Sequence, residues 1–281
     1  MVSATFDVRG AHIAGLHDFS PKETFFCGQC FRWAEEEDGA FFGVAFGRAL
    51  RVRMEKDTLL LEKVSQQEYE KVWRIYFDLG RDYEQVKARL SSLDPALREA
   101  CCNAPGIRVL QQDDWEALCT FIISQNNNIP RITGIVQRLC ANFGKEIAPG
   151  IFDFPSAQVI SSLSVEDLSP LRCGFRAKYL LDAAQKVASG VLDLKVIRTL
   201  PLEQARTALM QIHGVGPKVA DCALLYGMGR MDAFPMDVWM KRAMALLFPG
   251  KTPDLFGADA GIAQQYLFHY CRTHKIRELA G

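Results

Sequence analysis

The 281-residue chain has no excess of either charge: 33 Lys and Arg balance 33 Asp and Glu. A global basic field is therefore excluded as the source of any nucleic-acid affinity, which must come from local sites. No uninterrupted apolar run approaches the roughly twenty residues of a membrane span, so no membrane partner is expected. Residues 1–10, MVSATFDVRG, lack the basic-then-apolar layout of a signal peptide, and an intracellular location is expected. There is no repeat and no low-complexity segment. Nine cysteines are present, and Cys27 and Cys30 form a lone CxxC. The second pair that a zinc site needs is missing. An odd, scattered set points instead to free, mostly buried thiols.

What is present divides the chain in two. ALRVRM (49–54) alternates apolar and polar residues, the period of a half-buried strand. FFCGQCFRW and FFGVAFG read as strands flanking an Asp38-Gly39 turn, and TLLLEKV (58–64) as the next. Ser65 and Glu68 form a capping box before Tyr69, Val72, Trp73, Tyr76 and Phe77 at helical spacing. From about residue 110 the pattern is helical almost throughout. The expected fold is α+β: an N-terminal antiparallel β domain with flanking helices over 1–108, then a predominantly helical domain over 109–281.

The most informative stretch is LMQIHGVGPKVADC, residues 209–222. Gly214-Val215-Gly216 between two helices makes a tight turn that glycine forms cheaply. The new helix then presents unpaired amides and its positive dipole end, a grip suited to a phosphate. Lys218 lies in the first turn, where a cation sits poorly, and a lysine amine is a nucleophile when unprotonated. FPMDVWMKRAM supplies Asp237 about twenty residues on, at the start of the next helix. By itself Asp237 reads as an N-cap, and a cap can also be a catalyst.

IHGVGPKVADC followed by FPMDVW resembles the helix-hairpin-helix, glycine/proline, aspartate (HhH-GPD) glycosylase superfamily, and within it the 8-oxoguanine DNA glycosylases. The resemblance runs from GQCFRW to AQQYLF, in five separate segments. It implies that the chain is a DNA repair enzyme that flips 8-oxoguanine out of the duplex, cuts its glycosidic bond and nicks the strand by β-elimination. Lys218 would attack the sugar C1′, and Asp237 would assist and stabilise positive charge on the sugar. Pro235 would shape the pocket floor, Cys222 and Phe268 would cover the two faces of the base, Gln264 would read its Watson–Crick edge, and the Gly28 carbonyl would accept from N7–H. ISQNNNIPRITG resembles the probing loop, implying that Asn126 fills the vacated hole and Arg131 reads the widowed cytosine. CGFRAKY resembles the wedge segment, with Phe175 as the wedge and Arg176 joining Arg131. Gly214 and Gly216 would hold the DNA backbone.

The resemblance further implies a monomer acting on double-stranded DNA that carries 8-oxoguanine opposite cytosine, in the nucleoid or the nucleus according to source. No cofactor is required. An alkali cation on the hairpin carbonyls, as in some relatives, is left open, and the iron–sulfur ligand run of the endonuclease III branch is absent. Three positions depart from the pattern: Phe175 where tyrosine is common, Trp239 for a phosphate-binding histidine, and Cys271 for an aspartate. Two other readings keep the fold: a monofunctional glycosylase for another damaged purine, which uses water and needs no lysine, and a non-catalytic DNA-binding module, which needs neither Asp237 nor a base pocket.

Overall fold

A computed structural model describes residues 2–274; residues 275–281, the end of the expected helical region, lie outside the described part. Strands β1 (Ser3–Asp7), β2 (Gly10–Ala14), β3 (Trp33–Glu35), β4 (Phe41–Ala45), β5 (Arg48–Glu55) and β6 (Thr58–Glu62) form an antiparallel sheet in the order 1-2-6-5-4-3. The alternation in β5 sends Leu50 and Val52 into the core. Arg51 and Arg53 point the other way and meet Glu36, Asp38 and Glu62. The Asp38-Gly39 turn joins β3 to β4, with Gly39 at φ +79°.

The capping box at residue 65 is half formed. Ser65 Oγ accepts from the Glu68 amide at 3.2 Å, but the Glu68 carboxylate accepts from Trp73 Nε1 at 2.9 Å. The following turn, Tyr69–Trp73, is a π-helix. Tyr69, Trp73, Tyr76 and Phe77 are buried against the sheet, as their spacing suggests.

FFCGQCFRW is not a continuous strand. Pro21–Phe25 is a short helix, strand β3 begins only at Trp33, and residues 26–32 form a loop. Its centre is Gln29, with no exposed surface. The Gln29 Nε2 group donates to Thr24 O at 2.8 Å and Arg108 O at 2.7 Å, and Oε1 accepts from the Leu110 amide at 2.8 Å. One side-chain amide thus supplies the bonds a neighbouring strand would supply, so the loop can be buried without unsatisfied groups.

The rest of the described chain is mostly helical: α1 (Tyr83–Leu93), α2 (Pro95–Asn103), α3 (Asp114–Ser124), α4 (Ile129–Phe143), α5 (Arg176–Ala188), α6 (Leu202–Leu209), α7 (Pro217–Tyr226), α8 (Val238–Leu247) and α9 (Ala260–Thr273), with shorter turns and a small two-stranded sheet (Glu146–Ala148 with Ile151–Phe152) between. Helix α7 is buried at every residue from Val219 to Tyr226, which makes it the central element of the helical core. That core reaches back to Tyr83, Val86 and Leu90 on α1 and Leu97 on α2. No helix among the described residues is long and apolar enough to cross a membrane. All nine cysteines are free thiols, seven of them buried.

Candidate active site

The hairpin joins α6 to α7 and is braced from α5. Gly214 has φ +79°, and a Cβ there would stand 2.4 Å from the Tyr179 ring, so both backbone and packing demand glycine. The His213 amide donates to Asp182 Oδ2 at 2.7 Å, and Lys186 Nζ donates to Gln211 O at 2.8 Å. Gly216 is the N-cap of α7, and no side chain caps that end. Its first amides are left for an external acceptor.

Lys218 follows Pro217, the first residue of α7, and is half-buried. Its Nζ lies 3.4 Å from Ser124 Oγ and 5.4 Å from the centroid of the Phe121 ring. One turn on, Cys222 is buried, and burial pushes its thiol up to about 11 against the pull of the Lys218 charge; Asp237 adds to the rise. Cys222 therefore lies within electrostatic reach of both charged candidates and is a neutral thiol. Asp237 is the N-cap of α8, its Oδ1 accepting from the Met240 amide at 2.7 Å. That bond leaves the other carboxylate oxygen for a second task.

The opposite wall comes from α9 and the Gly28 loop. Gly28 has φ +93°, and a Cβ there would lie 3.4 Å from Phe268 Cε1 and 3.6 Å from an Arg272 guanidinium nitrogen. A side chain at 28 would crowd the Phe268 face. Arg272 also donates to Phe26 O at 2.8 Å, holding the loop from outside. Gln264 is buried, and its Nε2 donates to Pro235 O at 3.4 Å. Lys218, Cys222, Pro235, Asp237, Gln264, Phe268 and Gly28 thus come from three helices and two loops onto one region.

The second group adjoins it through Ser124, the last residue of α3. The Asn run that follows divides its labour. Asn127 Nδ2 donates to Ile123 O at 3.1 Å, and Asn128 caps α4 by accepting from the Arg131 amide at 3.0 Å. Asn126 is exposed, with φ +46°, a left-handed conformation asparagine tolerates. Among the described residues no hydrogen bond holds its side chain. Arg131 is exposed on the first turn of α4.

Arg176, expected to join Arg131 on the cytosine, lies beneath the surface here. It is 3% exposed. Its guanidinium donates to the carbonyls of Gln125, Asn126 and Cys173 and packs 4.4 Å over the Phe175 ring. Burial and the nearby Arg131 charge lower its pKa from the ordinary value. In this form Arg176 ties the Asn126 loop to the Cys173–Phe175 segment, while Phe175 itself is 51% exposed.

Of the departures, Trp239 has Arg242 5.4 Å from its ring, and Cys271 is half-buried with its thiol pushed up to about 11 by burial and by Asp237. Three contributors gave no sequence signal of their own: Gln29, Tyr226 and Gln265. Among the described residues no group of three or more His, Cys, Asp or Glu is placed to hold a metal ion.

Residues 13–118 match the family model for the 8-oxoguanine DNA glycosylase N-terminal domain, and residues 119–255 match that for the HhH-GPD superfamily of base excision DNA repair proteins. The N-glycosylase/DNA lyase of Saccharomyces cerevisiae is 37% identical over 152 residues, 49% of this chain and 40% of the relative. A probable N-glycosylase/DNA lyase of Methanothermobacter thermautotrophicus is 30% identical over 229 residues, 70% of this chain and 72% of the relative. The chain thus spans less than half of the yeast protein and nearly three quarters of the second. Among solved structures, MBOgg1 in complex with a low affinity DNA ligand superposes with a TM-score of 0.92 at 44% identity, covering 98% of this chain and 99% of that one. The Clostridium acetobutylicum 8-oxoguanine glycosylase/lyase, bound to double-stranded DNA with cytosine opposite 8-oxoguanine, gives 0.90 at 35% identity, covering 98% of each chain. With matches along most of its length, the chain belongs to the 8-oxoguanine DNA glycosylase family of the HhH-GPD superfamily.

Proposed function

We propose that the protein excises 8-oxoguanine paired with cytosine from double-stranded DNA and then nicks the strand. The observation that carries this reading is the convergence of Lys218, Cys222 and Asp237 with Gly28, Gln264 and Phe268 on one region. The target nucleotide must leave the stack, because neither C1′ nor the lesion edge is reachable inside a duplex. Phe175 intercalates and Asn126 occupies the vacated place. Lys218 Nζ attacks C1′ and the bond from C1′ to the base breaks, the base departing with a proton. Asp237 offsets the positive charge that develops on the sugar. The sugar ring opens to a Schiff base on Lys218, and β-elimination expels the 3′ phosphate. The protein works as an intracellular monomer on DNA, and the scheme needs no cofactor.

A glycosylase for alkylated purines is the competing activity, and the chain is 27% identical over 195 residues to a DNA-3-methyladenine glycosylase of Bacillus subtilis. Activated water alone would suffice there, which leaves Lys218 without a task. The test is incubation with an 8-oxoguanine:cytosine duplex and borohydride. The expected result is a covalent protein–DNA adduct on a denaturing gel; base release without an adduct would favour the water mechanism.

Arg131→Ala is expected to flatten the preference for cytosine over adenine opposite the lesion. Cytosine offers the O2 and N3 acceptors once its partner has left, and a charged hydrogen bond contributes about 1.5–3 kcal/mol. Arg176→Ala acts differently, because its donors are committed to the Asn126 loop: excision should slow opposite every base. Single-turnover rates against the four opposing bases separate the two. Unchanged selectivity in Arg131→Ala would place the readout elsewhere.

A further inference from the structure

Beside the candidate site lies a buried polar chain of which the reaction scheme uses only Gln264. Pro235 O and Cys27 O can only accept hydrogen bonds. Gln264 therefore turns its amide nitrogen to Pro235, at 3.4 Å, and Gln265 turns its own to Cys27, at 3.3 Å. Both amide oxygens then face the hydroxyl of Tyr226, Gln265 Oε1 at 2.6 Å and Gln264 Oε1 at 3.2 Å. All three side chains are buried. A phenol has one proton to donate, and the shorter contact to Gln265 takes it.

Two consequences follow, both resting on the function proposed above. Gln264 Oε1 keeps its acceptor capacity for a donor entering the pocket, and the N1–H and N2–H of a guanine-type base are such donors. Meanwhile the Gln265 amide fixes the carbonyl of Cys27, the residue joined to Gly28. The Tyr226 ring itself stacks on Phe121, with centroids 5.1 Å apart and planes at 18°, so its position is set independently of the hydroxyl. We infer that Tyr226 and Gln265 are positioning residues for base selectivity: the phenol proton, committed to Gln265, holds the amide that fixes the Gly28 backbone and leaves the Gln264 oxygen free. Neither touches the sugar, so the pair bears on which base is excised and leaves Lys218 chemistry alone.

The experiment compares Tyr226→Phe, Gln265→Met and the double variant with the wild-type protein on two duplexes, one carrying 8-oxoguanine opposite cytosine and one a preformed abasic site. Tyr226→Phe keeps the stacked ring, and Gln265→Met keeps the volume while removing the amide. Each single variant should lose about tenfold in kcat/KM for base excision, the effect of one lost buried hydrogen bond, with strand nicking at the abasic site within twofold of wild type. The double variant should fall no further than the weaker single, because both remove one coupled unit. Excision and abasic nicking falling together would mark the chain as structural support only and overturn the inference, as would unchanged excision or fully multiplicative losses. A wild-type protein that excises nothing would instead remove the proposed function itself.

Discussion

Lys218→Gln is expected to end base release and borohydride trapping while duplex binding survives. The substitution is confined to one functional group. The helix start is fixed by Gly216 and Pro217, so exchanging residue 218 leaves the hairpin geometry in place. Glutamine is as good a helix former as lysine, and at a half-buried position whose one hydrogen bond, to Ser124 Oγ, is long at 3.4 Å the exchange alters stability by only about 0.5 kcal/mol. What disappears is the amine. An amide nitrogen has its lone pair delocalised into the carbonyl and neither attacks C1′ nor forms a Schiff base. Loss of a covalent nucleophile costs on the order of 10³-fold or more in rate. Single-turnover excision with radiolabelled 8-oxoguanine duplex measures it, beside a melting curve. Adduct still trapped by Lys218→Gln would assign the nucleophile to another amine.

The parts of this site that could be read from the sequence are those whose chemistry is local. Asp237 stands where an N-cap must stand, and Gly214 takes a positive φ between two helices, as the GVG turn requires. The alternation in 49–54 and the Asp38-Gly39 turn also depend only on near neighbours. The Gly28 loop fails that condition. Its apolar letters suit a strand, but the bonds that hold it come from Gln29 to residues 108 and 110, about eighty positions away. Gln265 and Tyr226 are hidden for the same reason, their partners lying 39 residues apart in the chain. The burial of Arg176 is equally non-local: three carbonyls from the preceding loops compensate it.

Asp237 allows cap and catalyst to be separated by comparing two substitutions. Asp237→Asn keeps an oxygen to accept from the Met240 amide, now 2.7 Å from Oδ1, and asparagine caps a helix as well as aspartate. Folding stability should hardly change. The negative charge is gone, however, and an amide cannot offset positive charge developing on the sugar. Removing one preorganised electrostatic contact to a transition state costs about 10²–10³-fold in rate, so single-turnover excision should fall by that order while lesion binding persists. Asp237→Ala removes cap and charge together: the same kinetic loss is expected, joined by about 0.5–2 kcal/mol of stability. Chemical denaturation gives the second quantity and burst-free excision kinetics the first. If Asp237→Asn stays within a few-fold of wild type while Asp237→Ala unfolds readily, the carboxylate is only a cap, and the charge on the sugar must be balanced by another group.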